Sequence, residues 1–239
     1  MSLVVALANK DSIVMAADTI CILGPHEAHY RYDAEYSKIF RLRNPLYGVG
    51  VAAHTTAEKF IGCGQERDSL PTFVSLVHHN VREHYKQREL DLDMHFLFCG
   101  FLPDNTPSIE TLFFEGRIGA EGKREEVGQR IGRASIGICR HGALYLLHSY
   151  HKLEMTTEQL AFLAYFTLKE AIFHDERLRG PIELGILHPS SPMTFYSPEQ
   201  QQRLDEICDQ RRKAIGKLLT DPIEGFSVRF PSQPGLHLS

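Results

Sequence analysis

The sequence predicts an α+β protein in which two antiparallel sheets are stacked between helical layers. Two observations carry that prediction. Short apolar runs rich in β-formers come in pairs joined by polar turns, as antiparallel hairpins require. Longer segments with apolar residues at helical spacing stand between and after those pairs. The order is strand pair, strand pair, two helices, strand pair, strand, helices, strand, helix. With 239 residues, 43% hydrophobic and 23% charged, the chain suits one domain over 1–239 with a substantial core. No repeat, linker or low-complexity segment divides it.

The first hairpin is Leu3 to Ala8 and Ile13 to Ala17, joined by Asn9-Lys10-Asp11-Ser12 and ended by Asp18. Its runs are too short for helices, and their near-continuous apolarity points to strands covered on both faces. Thr19 to Ser37 is polar and tyrosine-rich, with a turn at Gly24-Pro25. Lys38 to Leu42 and Leu46 to Ala53 make a second hairpin about Asn44-Pro45. A helix is expected over Thr56 to Gln65, capped by Thr55 or Thr56, and a longer one over Leu70 to Glu89. The longer helix carries Phe73, Leu76, Val77, Val81 and Tyr85 as its apolar stripe. Met94 to Phe101 and Ile109 to Phe114 form the third strand pair around a Pro103 to Pro107 turn, and Arg133 to Cys139 is a further strand. A short helix follows over Gly142 to Tyr150. The next helix opens at Thr156 as N-cap with Gln159 at the capping-box position. Ile182 to Leu187 is a strand, Glu199 to Leu219 a polar helix, and the proline-bearing end an irregular tail placed to lie along a neighbouring subunit.

A formal charge of −4 argues against a nucleic-acid scaffold, and Arg211-Arg212-Lys213 reads as a solvated helix face. Cys21, Cys63, Cys99, Cys139 and Cys208 have neither metal-ligand nor redox spacing. Their odd number, with no charged segment ahead of the first apolar run, fits buried thiols in a reducing cytoplasm. No apolar run approaches the ~18–20 residues of a membrane span. His78, His79 and His84 lack the i, i+4 spacing of a helical metal site. No cofactor, metal, membrane or nucleic-acid partner is expected.

The functional signal lies in Ser2, Ala16-Ala17-Asp18 and Lys38-Ile39-Phe40. With Ser2 as the first mature residue, the first two motifs align without a gap with proteasome β-subunits, which this chain resembles. Those subunits are N-terminal nucleophile (Ntn) hydrolases. The resemblance spans roughly residues 2–190, leaving 191–239 as a C-terminal helix and tail. It implies the Ntn hydrolase fold, a four-layer αββα sandwich of two antiparallel β-sheets between helical layers. The spacing has a chemical reason. An antiparallel hairpin brings residue 2 beside Asp18. Once Met1 is removed, Ser2 carries a free α-amine with an ordinary pKa near ~7.7–8, a base next to its own hydroxyl. In the family the lysine that matches Lys38 lies beside the nucleophile and pairs with the hairpin aspartate. A cation there favours the deprotonated hydroxyl and amine, and the carboxylate holds the cation in place.

The resemblance thus implies a threonine/serine-type peptidase with Ser2 as nucleophile and Asp18 and Lys38 as its electrostatic support. His54 stands at the glycine whose backbone N–H binds the oxyanion. Ile138 stands where active subunits have a supporting serine. Glu176 matches a supporting acid, and Arg179 a second supporting serine. By analogy the pocket for the residue before the cut is lined by Cys21, Tyr36, Ala52 and Thr56. The family assembles into rings enclosing the site, takes peptides or unfolded protein, and is often fed by an ATP-driven unfoldase. Two other readings stay open: a structural ring subunit without turnover, favoured by His54, Ile138 and Arg179, and an amidase of the same fold acting on a small amide.

Overall fold

A computed structural model describes residues 2–19, 21–23, 31–33, 36–53, 57–62, 68–85, 91–117 and 132–220. The first hairpin pairs β1 (Leu3–Ala8) with β2 (Ile13–Asp18), Val4 opposite Ala17 and Ala8 opposite Ile13. Its turn closes on one side chain. Asn9 Oδ1 accepts the N–H groups of Asp11 (2.8 Å) and Ser12 (2.7 Å) and the Ser12 hydroxyl (3.0 Å). Every residue of both strands is buried, as their unbroken apolarity implies.

β1 and β2 form the middle of a five-stranded antiparallel sheet. β9 (Arg133–Gly137) joins beside β1, then β10 (Ile182–His188) beside β2, with β11 (Ser191–Phe195) at the edge. A second antiparallel sheet runs β5 (Ile39–Arg41), β6 (Tyr47–Ala53), β7 (Asp91–Phe101), β8 (Pro107–Arg117). The short strands β3 (Cys21–Leu23) and β4 (Arg31–Asp33) pair apart from both.

Three apolar layers hold these sheets. One joins the five-stranded sheet to α3 (Arg140–Tyr150), α4 (Thr157–His174) and α5 (Pro198–Thr220), through Leu3, Val5, Leu7, Leu160, Leu163, Leu168 and Leu204. A second joins the four-stranded sheet to α1 (Glu58–Ile61) and α2 (Leu70–Tyr85), through Val49, Phe96, Phe98, Phe73, Val77 and Val81. The third lies between the sheets, where Val4, Ala6 and Met15 meet Leu97, Cys99 and Phe113. The alternation of side chains along β1 feeds two of these layers at once. The result is the αββα sandwich. The sheets approach closely over Gly50, where an added Cβ would overlap Val4 Cγ1.

The Thr156 cap forms the expected capping box, with Gln159 N–H on Thr156 Oγ1 (3.3 Å) and Thr156 N–H on Gln159 Oε1 (2.9 Å). On α2 the stripe takes Val74 in place of Leu76, which is half-buried. β11 is not legible in the sequence. Pro192 suppresses the strand signal, yet proline is compatible with an edge strand whose only buried side chain is Met193. The caps expected at Thr55 or Thr56, Gly24-Pro25 and the tail after Thr220 lie outside the described residues. Among the described residues, no helix is long and apolar enough to cross a membrane.

At the turn end of the first hairpin, His151 is buried and donates from Nε2 to the Ala8 carbonyl (3.0 Å), while Arg133 faces its Nδ1 (3.4 Å). Burial, reinforced by Arg133, holds this imidazole below its usual pKa against the opposing pull of Ala8 and Glu154. The unfolded chain therefore binds a proton that the folded chain refuses. Stability is expected to be full above about pH 6.5 and to be lost as pH falls below it. Urea midpoints measured between pH 7.5 and 5.5 check this. The His151→Gln variant should show a flatter slope, and an unchanged slope would discard the assignment.

Candidate functional site

The open end of the first hairpin brings its two chain ends together, and Asp18 closes the gap. Its Oδ1 accepts the Leu3 N–H at 2.8 Å, the amide that joins Ser2 to Leu3. Its Oδ2 accepts from Lys38 Nζ, also at 2.8 Å. The pair is almost wholly removed from water, with side-chain exposures of 0% for Asp18 and 3% for Lys38. Burial pushes the Asp18 carboxyl up, and the Lys38 ammonium and the Leu3 N–H pull against that shift. Lys38 directly precedes β5, and its own carbonyl accepts the Val51 N–H (2.9 Å).

Ser2 is itself buried. Its carbonyl accepts the Ile138 N–H at 2.9 Å, which extends the β1–β9 ladder by one bond. Gly137 lies under that carbonyl with φ 94°, and a Cβ there would overlap the Ser2 oxygen and come within 3.0 Å of Ala52 Cβ. Ser2, Asp18, Lys38, Ala52, Gly137 and Ile138 thus form one chain of contacts drawn from both sheets. The Asp18 carboxylate thus links the Lys38 ammonium to the amide that follows Ser2.

Other expected residues are placed differently. Glu176 is exposed, and its carbonyl accepts Arg179 Nε (2.8 Å). The acid at this corner that bonds Cys139, the N-cap of α3, is Asp175, one residue earlier. As C-cap of α4 it leaves the helix in an extended conformation, which turns its carboxylate inward and its neighbour outward. Asp175 Oδ2 accepts the Cys139 thiol (3.0 Å), and Arg177 grips both oxygens, Nε to Oδ1 at 2.8 Å and Nη2 to Oδ2 at 2.6 Å. These donors hold Asp175 well below the usual carboxylate range. Burial, together with Asp175, pushes the Cys139 thiol up to about 11. Arg179 is exposed. Tyr36 is half-buried and Ala52 buried beside Gly137. His54, Thr56 and the side chain of Cys21 lie outside the described residues.

Sequence reasoning missed Glu183. It sits on β10 between Ile182 and Leu184, and its carboxylate accepts from Ser37 Oγ (2.8 Å to Oε1, 2.9 Å to Oε2), Lys38 N–H (3.1 Å) and Ile39 N–H (3.2 Å). A lone acid inside an otherwise apolar strand was the available signal. Among the described residues, no cluster of three His, Cys, Asp or Glu side chains is arranged to hold a metal ion. A wide groove opens over α3, α4 and α5, lined by Phe162, Phe166, Leu204 and Ile215 rather than by Ser2, Asp18 or Lys38.

No protein-family model and no curated protein matches the chain. Among solved structures it is similar to the Gly-1 mutant of Anbu from Hyphomicrobium sp. strain MC1. The TM-score is 0.70 at 16% identity, over 95% of this chain and 100% of that one. The likeness shows the fold, an αββα sandwich of two antiparallel sheets between helical layers.

Proposed function

We propose that this chain is a proteasome-like peptidase subunit that cleaves peptide bonds with Ser2 as nucleophile, inside a ring of copies of itself. One observation carries the reading: a buried Asp18–Lys38 ion pair whose acid also binds the amide directly after Ser2. A paired, desolvated ammonium is costly to keep for structure alone, because an apolar pair of similar size is often as stable. With Met1 gone, the neutral α-amine of Ser2 takes the proton from Oγ. Oγ then attacks the carbonyl carbon as the C=O electron pair moves onto oxygen, and Lys38 favours the deprotonated Oγ and amine. The protonated amine passes its proton to the leaving amine, and water releases the acyl group by the reverse sequence. The oxyanion falls to a backbone N–H near His54. Peptides or unfolded protein are the substrates, an ATP-driven unfoldase the partner that would supply them, and the cytoplasm the compartment.

A second reading is a ring subunit that keeps the fold without turnover. It is favoured at Ile138, which offers no hydroxyl, and at Asp175, whose oxygens are taken by Cys139 and Arg177. Intact mass and a β-lactone probe separate the two. A peptidase has lost Met1 and gains the probe's mass on Ser2, with no gain in the Ser2→Ala variant. Retained Met1 favours the ring subunit, and a processed chain that stays unlabelled counts against the peptidase.

A further inference from the structure

We infer that Glu183 is a positioning residue for the proposed site: its carboxylate clamps Ser37, Lys38 and Ile39 against the five-stranded sheet and so aims the Lys38 ammonium at Asp18. This rests on the peptidase reading for its purpose, though not for its geometry.

The clamp is specific. Glu183 lies on β10, whose neighbour β2 ends in Asp18, and Ile182 is the register partner of Asp18. Ser37, Lys38 and Ile39 lead into β5, in the other sheet. One carboxylate therefore ties the segment carrying the cation to the sheet carrying the acid, across 144 to 146 residues of chain. Two consecutive backbone N–H groups converge on Oε2, and the Ser37 hydroxyl reaches both oxygens. Three donors hold the carboxylate in place, and they and Lys38 pull against the burial that pushes its pKa up. On the far side, Lys38 gives its carbonyl to Val51 N–H in β6. The residue is thus fixed at its N–H by one sheet and at its carbonyl by the other. That fixes where the side chain starts relative to Asp18, the ion pair then fixing its end.

Two conservative variants separate reach from charge. Glu183→Gln loses the charge and keeps the reach. Its Oε1 can accept both amides while Nε2 donates to Ser37 Oγ, whose hydroxyl turns to the Ile39 carbonyl 2.9 Å away. Glu183→Asp keeps the charge and shortens the arm by roughly 1.5 Å. Glu183→Ala is avoided, since two unpaired buried amides endanger the fold. The first readout is the pH titration of the Lys38 side-chain NMR signal, assigned by its absence in Lys38→Arg. The second is the pH profile of β-lactone labelling at Ser2.

With Glu183→Asp, the Lys38 titration is expected to move down by roughly half a unit or more as the ammonium loses Asp18. Labelling should slow by about 10- to 100-fold, the scale on which a displacement of about 1 Å acts. With Glu183→Gln, labelling should stay within about threefold of wild type, and the Lys38 titration should move down by less than in Glu183→Asp, because the amide removes one carboxylate charge felt by Lys38 and keeps the clamp. The inference is overturned if Glu183→Asp matches wild type in the Lys38 titration, or if Glu183→Gln is shifted as far as Glu183→Asp. If the wild-type chain never labels, the peptidase reading falls, and the Lys38 titration still judges the clamp.

Discussion

Replacing Lys38 with methionine is expected to destabilise the fold by about 3–5 kcal/mol at neutral pH, the cost of leaving a buried charge without its partner. Asp18 has no exposed surface, so its carboxylate has no water to turn to. The pH dependence identifies the cause. Without Lys38, burial raises the folded-state pKa of Asp18 unopposed by the ammonium, while the unfolded value stays near ~3.9. Between those two values the folded variant binds the extra proton, so its stability should recover as pH falls from 7 toward 4. Adding Asp18→Asn removes the stranded charge and keeps an acceptor for the Leu3 N–H, so the double variant should recover much of the loss. Urea unfolding at several pH values reads both effects. A Lys38→Met protein within about 1 kcal/mol of wild type, with no pH dependence, would show that the ion pair contributes little.

Gly137→Ala carries the second large effect. The added Cβ meets main-chain atoms of Ser2, which no rotamer change can move aside. The positive φ adds about 1–2 kcal/mol for any residue with a Cβ, and overpacking adds about 1–3 kcal/mol more. The expected total is about 2–5 kcal/mol, with labelling at Ser2 abolished because the carbonyl must leave the Ile138 amide. Gly142→Ala is the control. It lies in α3 with nothing within 4 Å of its new Cβ, and should stabilise by about 0.5–1 kcal/mol. Thermal unfolding of the two variants tests the contrast. Equal melting temperatures would mean that the close approach at Gly137 is easily relieved.

Local patterns in the sequence account for the hairpin strands, the capped helix at Thr156 and the layer order, because each is written in neighbouring residues. The meeting of Asp18 and Lys38 could be anticipated only through the resemblance, since two charges 20 residues apart carry no periodic signal. Glu183 escaped for the same reason: nothing near it in the chain announces that its partners are Ser37, Lys38 and Ile39. At the corner the sequence points to Glu176 while the acid that bonds Cys139 is its neighbour Asp175, because no repeat fixes the phase where a helix ends. The αββα fold was thus more legible than the contacts at its centre, which depend on how the two sheets are brought together.

The thiols have a practical consequence for labelling. Among the described residues Cys99, Cys139 and Cys208 are reduced, and burial drives the first well above its ordinary range, the second to about 11 and the third to about 12. At neutral pH their nucleophilic anions are scarce, so soft electrophiles find little background alkylation there. A warhead that would normally be distracted by sulfur is left to compete mainly for oxygen and nitrogen on these elements.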